Sequence, residues 1–373
     1  MDQKVVRIHK RLLESDAAGE LHITAVPPAA PAEQQARAMF PAVAEALRAA
    51  GASIFQERVF GTAGALEAAE AIRAEAYGDL ADAVRPARLL SGEGRHGPLA
   101  GVQVHAVCGR SRLRVLSADG SAWGRVLKLD GRRHVALSGL SAAGAGAGPA
   151  QARAMFELAD RLLGQAGGGM HSVARTWLWL GDILSWYGQF NGVRSRFFAE
   201  RGLIGATRGR FPASTGIGVR PAGGAACALD VMAVVGPADS IRCFQAAGRQ
   251  RSAFAYGSAF SRAARAASPG GQTVFVSGTA AVDEAGATRH AGDARAQIQM
   301  TLANVRAVLT QQGCRDQDVV QAIAYCKTPE VEAIWRDGRA DLPWPCVTVI
   351  SDVCRDELLF ELEAAACPGG RRV

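Results

Sequence analysis

Apolar positions in the second two-thirds of the chain follow two spacings that recur in a fixed order. Short β-type runs begin at His134 and at Thr273, and each ends in Ser-Gly. Apolar residues then recur at helical spacing, as in Met155, Leu158 and Leu162. A further strand, a second helix and a closing pair of strands follow in both segments. A β-β-α-β-α-β-β series that recurs after roughly 135 residues predicts an internal duplication.

The first third of the chain has weaker periodicity. It contains an extended connector at residues 25–31, a predicted helix at Glu33–Ala50 and predicted strands at Val102–Val107 and Arg112–Leu116. No motif there points to chemistry. The predicted domains are therefore an N-terminal domain of uncertain role at residues 1–130, a first repeat at 131–240 and a second repeat at 241–373. The fold class is α+β, with the helices of each repeat on one face of its sheet.

Composition narrows the class of protein. The chain has 373 residues, of which 49% are hydrophobic and 21% charged, as in globular proteins. No apolar run is long enough for a transmembrane helix, and the N-terminal residues do not resemble a secretory signal. The eight cysteines lack zinc-site spacing. We expect reduced thiols, a cytoplasmic protein, no metal and no cofactor.

The net charge of +7 leaves two kinds of partner open. Nucleic-acid binding needs clustered basic residues with stacking aromatics, whereas here arginine is dispersed and aromatics make up 6%. Excess arginine can instead bind small carboxylates in bidentate pairs. Composition alone does not choose between a nucleic acid and a small carboxylate as the partner. With the dispersed arginines, we expect a small molecule, and neither a nucleic acid nor a membrane.

The second repeat resembles the RidA (YjgF-like) family in Val274-Phe-Val-Ser-Gly-Thr279 and Leu359-Phe-Glu-Leu-Glu-Ala364. RidA proteins are trimers with small-molecule clefts between subunits, so the resemblance implies a pseudo-oligomer within one chain and favours a monomer. RidA imine deaminases hold the substrate carboxylate with an arginine in a Pro-Ala-Arg segment. Pro212-Ala-Ser-Thr215 and Pro345-Cys-Val-Thr348 lack that arginine, which argues against imine deamination.

The chain is more similar to the chorismatase family, whose members are duplicated RidA-like (chorismate-mutase-like) chains. This resemblance rests on Asp182-Ile-Leu-Ser-Trp-Tyr-Gly-Gln-Phe-Asn191, Ser252-Ala-Phe-Ala-Tyr-Gly-Ser-Ala-Phe-Ser-Arg-Ala263 and Cys354-Arg-Asp-Glu-Leu-Leu-Phe-Glu361. It implies removal of the enolpyruvyl group of chorismate as pyruvate without metal or cofactor. The remaining ring becomes either a hydroxybenzoate or a dihydroxycyclohexadiene carboxylate.

Cleavage of an enol ether begins with protonation of its methylene carbon, and Glu361 is the candidate acid. Alternation along a strand places Glu361 and Glu363 on one face. Two neighbouring carboxylates raise one another's pKa, and burial acts in the same direction. The alternative is that both are solvated residues of an amphipathic strand.

Arginine is expected at the substrate carboxylates. Arg175 lies in an apolar run, where a charge is rarely buried without a partner, and an anionic ligand would supply one. An internal salt bridge to Asp182 or Asp230 is the alternative. Arg262 and Tyr256 are further candidates for substrate binding, each with a structural role as the alternative.

Two residues give opposite indications of the product. The resemblance associates cysteine at Cys354 with the 3-hydroxybenzoate-forming branch and alanine at Ala263 with the hydrolytic branch. Cys354 decides our prediction, because a polarizable thiol beside the ring could assist proton movement.

In the first repeat we place Asp230 at the position of Glu361 and Met232 at that of Glu363. This placement predicts a single active site, built mainly on the second repeat.

Two functions from different classes follow from the sequence. The first is a chorismatase that releases pyruvate, with 3-hydroxybenzoate as the expected product and the diene carboxylate or 4-hydroxybenzoate as alternatives. The second is a non-catalytic RidA-like module that binds a small carboxylate.

Overall fold

The computed structural model describes residues 5–109, 112–205, 210–339, 341–369 and 371–372. These residues form three six-stranded sheets with two α-helices each. The first sheet and its helices comprise β1 (Arg7–Glu14), β2 (Gly19–Val26), α1 (Ala32–Ala49), β3 (Ala52–Gly61), α2 (Ala63–Tyr77), β4 (Ala87–Leu90) and β5 (Leu99–Cys108). The second sheet and its helices comprise β6 (Arg114–Ala118), β7 (Ser121–Leu129), β8 (Arg132–Leu140), α3 (Gly148–Gln165), β9 (Val173–Leu180), α4 (Ile183–Glu200), β10 (Ala213–Ile217) and β11 (Cys227–Val235).

The third sheet completes the chain. Its elements are β12 (Ile241–Phe244), β13 (Ala263–Ser268), β14 (Gly271–Ala280), α5 (Ala294–Gln311), β15 (Val319–Cys326), α6 (Pro329–Gly338), β16 (Cys346–Ile350) and β17 (Phe360–Ala366). A final strand, β18 (Arg371–Arg372), returns to the first sheet and pairs with β1. The predicted α+β class, with tandem sheets that carry their helices on one face, is confirmed.

All three sheets have the same arrangement of strands, except that the edge strand of the first, β18, comes from the C-terminal end of the described chain. Their strand orders are β18-β1-β2-β5-β3-β4, β6-β7-β8-β11-β9-β10 and β12-β13-β14-β17-β15-β16. In each sheet the strand after the first helix and the strand after the second helix run parallel to each other, as β9 and β10 do. Their other neighbours are antiparallel. The N-terminal segment is therefore a third copy of the same topology. The predicted boundary at residue 130 is too late, because it separates β7 from β8, which form one hairpin.

The Ser-Gly pairs that mark the repeats in the sequence are β-bulges. Ser138 and Gly139 on β8 lie opposite the single residue Asp230 on β11, since the pairing passes from Leu137–Val231 to Leu140–Leu229. An extra residue of this kind is most easily accommodated by glycine, and Gly139 has a φ of 62°. β2 pairs with β5 without a bulge, so the first copy has no Ser-Gly.

The same register corrects our alignment of the acidic residues. The bulge in the third sheet lies between the pairs Val276–Ala364 and Thr279–Leu362, so Glu363 is the residue opposite it. Asp230 therefore corresponds to Glu363 and not to Glu361. Two residues earlier along each strand, Ala228 is the counterpart of Glu361.

The helices cover one face of each sheet. Met155, Phe156 and Leu162 of α3 are fully buried among the apolar residues of the second sheet. Val305 and Leu309 of α5 are buried in the same way against the third. Burial of each such side chain contributes roughly 1.5–3 kcal/mol of transfer free energy. The helices are thereby held on one face of each sheet, and the opposite face is available for contacts with the other sheets.

The opposite faces of the three sheets pack against one another in a ring. β3 of the first sheet contacts β7 and β8, β9 and β10 contact the third sheet, and β16 contacts β2 and β5. Buried polar side chains bridge these junctions. Arg58 donates to Asp230 at 2.6 Å between the first and second sheets, and Arg175 donates to Glu363 at 2.8 Å between the second and third. Each junction forms a potential cleft.

Two further properties concern the whole described chain. All eight cysteines are free thiols. Among the described residues, none of the helices combines the length and apolar character needed to span a bilayer.

Candidate active site

A cavity of about 250 Å³ lies at the junction of the second and third sheets. Its wall combines α4 and β10 from the second copy with β14, β17 and three loops from the third. The predicted residues Tyr256, Arg262, Cys354 and Glu361 all line it. This size suits one small organic molecule.

Glu361 projects into this cavity from β17 and is only 5% exposed. Its carboxyl group lies over Gly278 of the third sheet's bulge, and a Cβ atom at position 278 would collide with its Oε1. Burial, and secondly the neighbouring Glu363, raise the pKa of Glu361 to about 8, although Arg175 and Arg262 oppose this shift. The group is therefore mostly a neutral carboxylic acid at pH 7 and can donate a proton.

Three arginines contribute to the wall of the cavity. Arg194 of α4 is 2% exposed and donates to Asn191 Oδ1 at 2.7 Å. Arg262 donates to the Tyr256 hydroxyl and, through Nε, to the Arg251 carbonyl oxygen at 3.1 Å. Arg355 donates to the Gly286 carbonyl oxygen at 2.9 Å.

These contacts hold the guanidinium groups in place while the acid facing them is largely neutral. The cavity therefore carries positive charge and suits an anion with more than one carboxylate.

One wall of the cavity was missed by the sequence analysis. Tyr187, Asn191 and Arg194 line the cavity from α4, and their spacing of four and three residues places them on one helix face. Burial, and secondly Cys354, raise the pKa of the Tyr187 hydroxyl to about 12, so it remains a hydrogen-bond donor at neutral pH. The sequence signal for these three residues is their polar or hydroxyl-bearing side chains at helical spacing, in a helix whose other face buries phenylalanines.

Arg175 and Glu363 do not line this cavity, contrary to our expectation. Arg175 Nη2 donates to Glu363 Oε2 at 2.8 Å and to Thr215 Oγ1 at 2.5 Å. Trp177 Nε1 donates to the other oxygen of Glu363 at 2.6 Å. The partner of Arg175 is thus neither a ligand nor Asp182 or Asp230. The buried ion pair lies behind Glu361 and joins the two sheets that form the cavity.

The two residues that gave opposite indications of the product have different positions. Cys354 lines the cavity, and burial, followed by the charge of Glu361, raises the pKa of its thiol to about 12. It is therefore a thiol, not a thiolate, at neutral pH. Ala263 is fully buried at the start of β13, where it packs in the apolar core of the third sheet and pairs with Phe244 and Val276. It does not belong to the cavity wall.

Comparison with known proteins identifies the class of fold first. The endoribonuclease L-PSP family matches residues 251–366, which span most of the third sheet. RidA from an Antarctic Psychrobacter is 20% identical, with a TM-score of 0.28, and the match covers 34% of this chain and 98% of that chain.

A crystal structure of a chorismatase is similar over most of its length. Its TM-score is 0.62 at 21% identity, and the match covers 84% of this chain and 93% of that chain. The expected resemblance to chorismatase is thus confirmed for the fold. No curated protein matches the chain.

Proposed function

We propose that this protein is a chorismatase that cleaves chorismate and releases pyruvate. The observation that carries the proposal is the combination, in one buried cavity, of three arginines with a carboxylic acid whose pKa is about 8. Chorismate is a dicarboxylate with an acid-labile enol ether, so it needs both features. The similarity to a chorismatase fold supports the same substrate.

In the first step, Glu361 donates its proton to the terminal methylene carbon of the enolpyruvyl group. The adjacent carbon becomes an oxocarbenium-like centre, stabilised by the ether oxygen. A well-placed general acid accelerates such a step by about 10²–10⁴-fold. Arg194, Arg262 and Arg355 bind the two carboxylates and keep the vinyl group beside the acid.

Two fates of the cationic centre lead to different products. If the ring hydroxyl at C4 traps it, the bond between C4 and that oxygen then breaks, and pyruvate leaves with the former hydroxyl oxygen while the ether oxygen stays on C3. The C3 ring proton passes to the Glu361 carboxylate and the hydroxyl proton to the C3 oxygen, which gives 3-hydroxybenzoate and pyruvate without consumption of water. Breakage of the C3–oxygen bond instead, with loss of the C4 proton, gives 4-hydroxybenzoate. If water traps it, the resulting hemiketal collapses to pyruvate and a dihydroxy diene, and one water is consumed. Both routes return the proton to Glu361.

We propose 3-hydroxybenzoate as the product. The thiol of Cys354 is protonated and part of the cavity wall, so it acts as a weak hydrogen-bond donor beside the reacting ring, while the Glu361 carboxylate takes the ring proton. Ala263, whose identity favoured the diene, is buried outside that wall. The diene carboxylate and 4-hydroxybenzoate are the alternative products.

The test is incubation of the purified protein with chorismate, followed by proton NMR. We expect pyruvate and 3-hydroxybenzoate in equal amounts, with turnover reduced at least about 100-fold in Glu361→Gln. Glu357→Gln is the matched control, because Glu357 is exposed just before the same strand. Unchanged chorismate, together with calorimetric binding of it, would replace the enzyme by the small-carboxylate binding module. A fully active Glu361→Gln protein would show that another group is the acid.

A further inference from the structure

A second buried cavity, distinct from the active site, lies where the three sheets meet. It has a volume of about 40 Å³, and one glutamate and three histidines line it: Glu20, His22, His105 and His134. Their exposed fractions are 1%, 4%, 8% and 4%, respectively. A space of this size holds a few water molecules or one ion with its ligands.

The pseudo-symmetry of the fold explains why these residues converge. His22 pairs with His105, and Ala136 with Met232, at equivalent places in the first and second sheets. Glu20 and His134, each two residues earlier on its strand, are consequently equivalent and both face the centre of the ring. The sequence offered no zinc-type spacing because these ligands come from three strands, β2, β5 and β8.

The side chains are arranged as ligands with supporting contacts. Glu20 Oε1 lies 2.6 Å from His105 Nε2 and 3.7 Å from His22 Nε2. The other carboxylate oxygen of Glu20 accepts from the Ser268 hydroxyl at 2.7 Å and from the Gly270 backbone N–H at 3.0 Å. Outer contacts of this kind orient carboxylate ligands in metal sites.

The buried ring nitrogens of His22 lack hydrogen-bond partners. Neither of its ring nitrogens makes a geometrically acceptable hydrogen bond, although the Gln321 side chain lies near enough to favour the protonated ring. Among Glu20, His22 and His105, the potential ligand atoms lie within 4.8 Å of one another. A buried imidazole without a hydrogen-bond partner carries a desolvation cost that a metal–nitrogen bond would remove.

The charges also favour a cation. Glu20 supplies a carboxylate to the cavity, and each histidine offers a ring nitrogen that binds a metal ion when the imidazole is neutral. Among the described residues, the basic groups within 4 Å of the Glu20 carboxylate are imidazoles, and Arg58 in the same wall is paired with Asp230.

We propose that this cavity binds one divalent transition-metal ion through Glu20, His22 and His105, and that His134, which lines the same cavity outside that group of three, turns inward as the fourth ligand. Imidazole and carboxylate donors in a four-coordinate arrangement suit Zn²⁺ best. The His22 and His105 rings are stacked with centroids 4.6 Å apart, so they must tilt for their lone pairs to converge on the ion. The ion would replace the direct contact between Glu20 and His105 and would join the first and second sheets.

The test uses the full chain after removal of metals by a chelator. Zn²⁺ alone is titrated in a calorimeter against a competing chelator, and Co²⁺ is added separately to record its visible absorption. We expect one Zn²⁺ per chain, the intense absorption of four-coordinate Co²⁺, and an unfolding temperature that rises with bound zinc. These readouts do not depend on chorismate turnover.

Variants locate the binding site. Affinity should fall at least about 100-fold in Glu20→Gln and His22→Gln, while His171→Gln, at an exposed histidine, should bind zinc like the wild type. Ser268→Ala, which removes one outer contact, provides a milder change if the ligand variants fail to fold, and about a 10-fold loss is expected. Absence of stoichiometric zinc binding by the wild-type chain, or equal binding by the Glu20 and His171 variants, would overturn the proposal.

Discussion

Glu361→Gln should stabilise the protein against unfolding at alkaline pH. The folded protein holds the Glu361 proton up to a pKa of about 8, whereas the ordinary value is 4.5. As the pH rises through this window, the unfolded chain ionises freely, but the folded protein must keep a proton or bury a charge. Stability that is present at low pH is therefore lost progressively between pH 4.5 and 8.

The magnitude follows from the two pKa values. A difference of one pKa unit corresponds to about 1.4 kcal/mol, so the window from 4.5 to about 8 corresponds to about 5 kcal/mol once both states are ionised. Glutamine occupies the same space without titrating. The free-energy difference between Glu361→Gln and the wild type should therefore become more favourable to the variant by about 4 kcal/mol between pH 5 and pH 9.

The assay is urea unfolding followed by tryptophan fluorescence at pH 5, 7 and 9. Wild type, Glu361→Gln and the exposed control Glu357→Gln are compared in the same buffers. Because Glu357 is exposed, the difference between Glu357→Gln and the wild type provides the baseline at each pH. If the Glu361→Gln difference follows this baseline, the carboxyl group titrates normally, and the argument that it is a neutral acid at pH 7 fails.

Two further predictions concern the arginines. Arg194→Ala removes a buried cation from the cavity wall, and we expect KM for chorismate to rise about 30-fold, corresponding to about 2 kcal/mol for a charged hydrogen bond, with Arg295→Ala at an exposed position as control. An unchanged KM in steady-state kinetics would exclude Arg194 from carboxylate binding. Arg175→Met leaves Glu363 buried without its cation and should lower the free energy of unfolding by about 3–5 kcal/mol. Restoration of wild-type stability by the further change Glu363→Gln would confirm that the cost comes from the unpaired carboxylate, while persistence of the full loss would assign it to packing.

Most of the second and third copies could be predicted from the sequence because their patterns are local. Helical spacing of apolar residues gave α3 and α5, and strand alternation placed Glu361 and Glu363 on one face. The sequence did not reveal that the first 108 residues are a further copy, because β2 lacks the bulge that requires Ser-Gly in β8 and β14. Without the Ser-Gly pair, a copy with the same topology shows no recognisable repeat in its sequence.

The errors in the site arose from contacts between distant segments. Arg175 and Glu363 are 188 residues apart, and no spacing rule indicates that they form an ion pair. Strand alternation fixes the face of a residue but not its place along the strand, so the sequence matched Asp230 to Glu361, which lies on the same face two residues from the true counterpart Glu363. Residue types and strand faces could be inferred, but partners across sheets required the fold.

The presence of three copies in one chain changes how a site at one of its junctions can evolve. In a trimer of identical subunits, each substitution occurs in every cleft at once, and a buried acid must be tolerated three times. Here Glu361 stands in one cleft while its counterpart in the second sheet is Ala228. Each junction can therefore accumulate its own substitutions, so that one can keep a buried acid for the proposed reaction while the others are selected for stability alone.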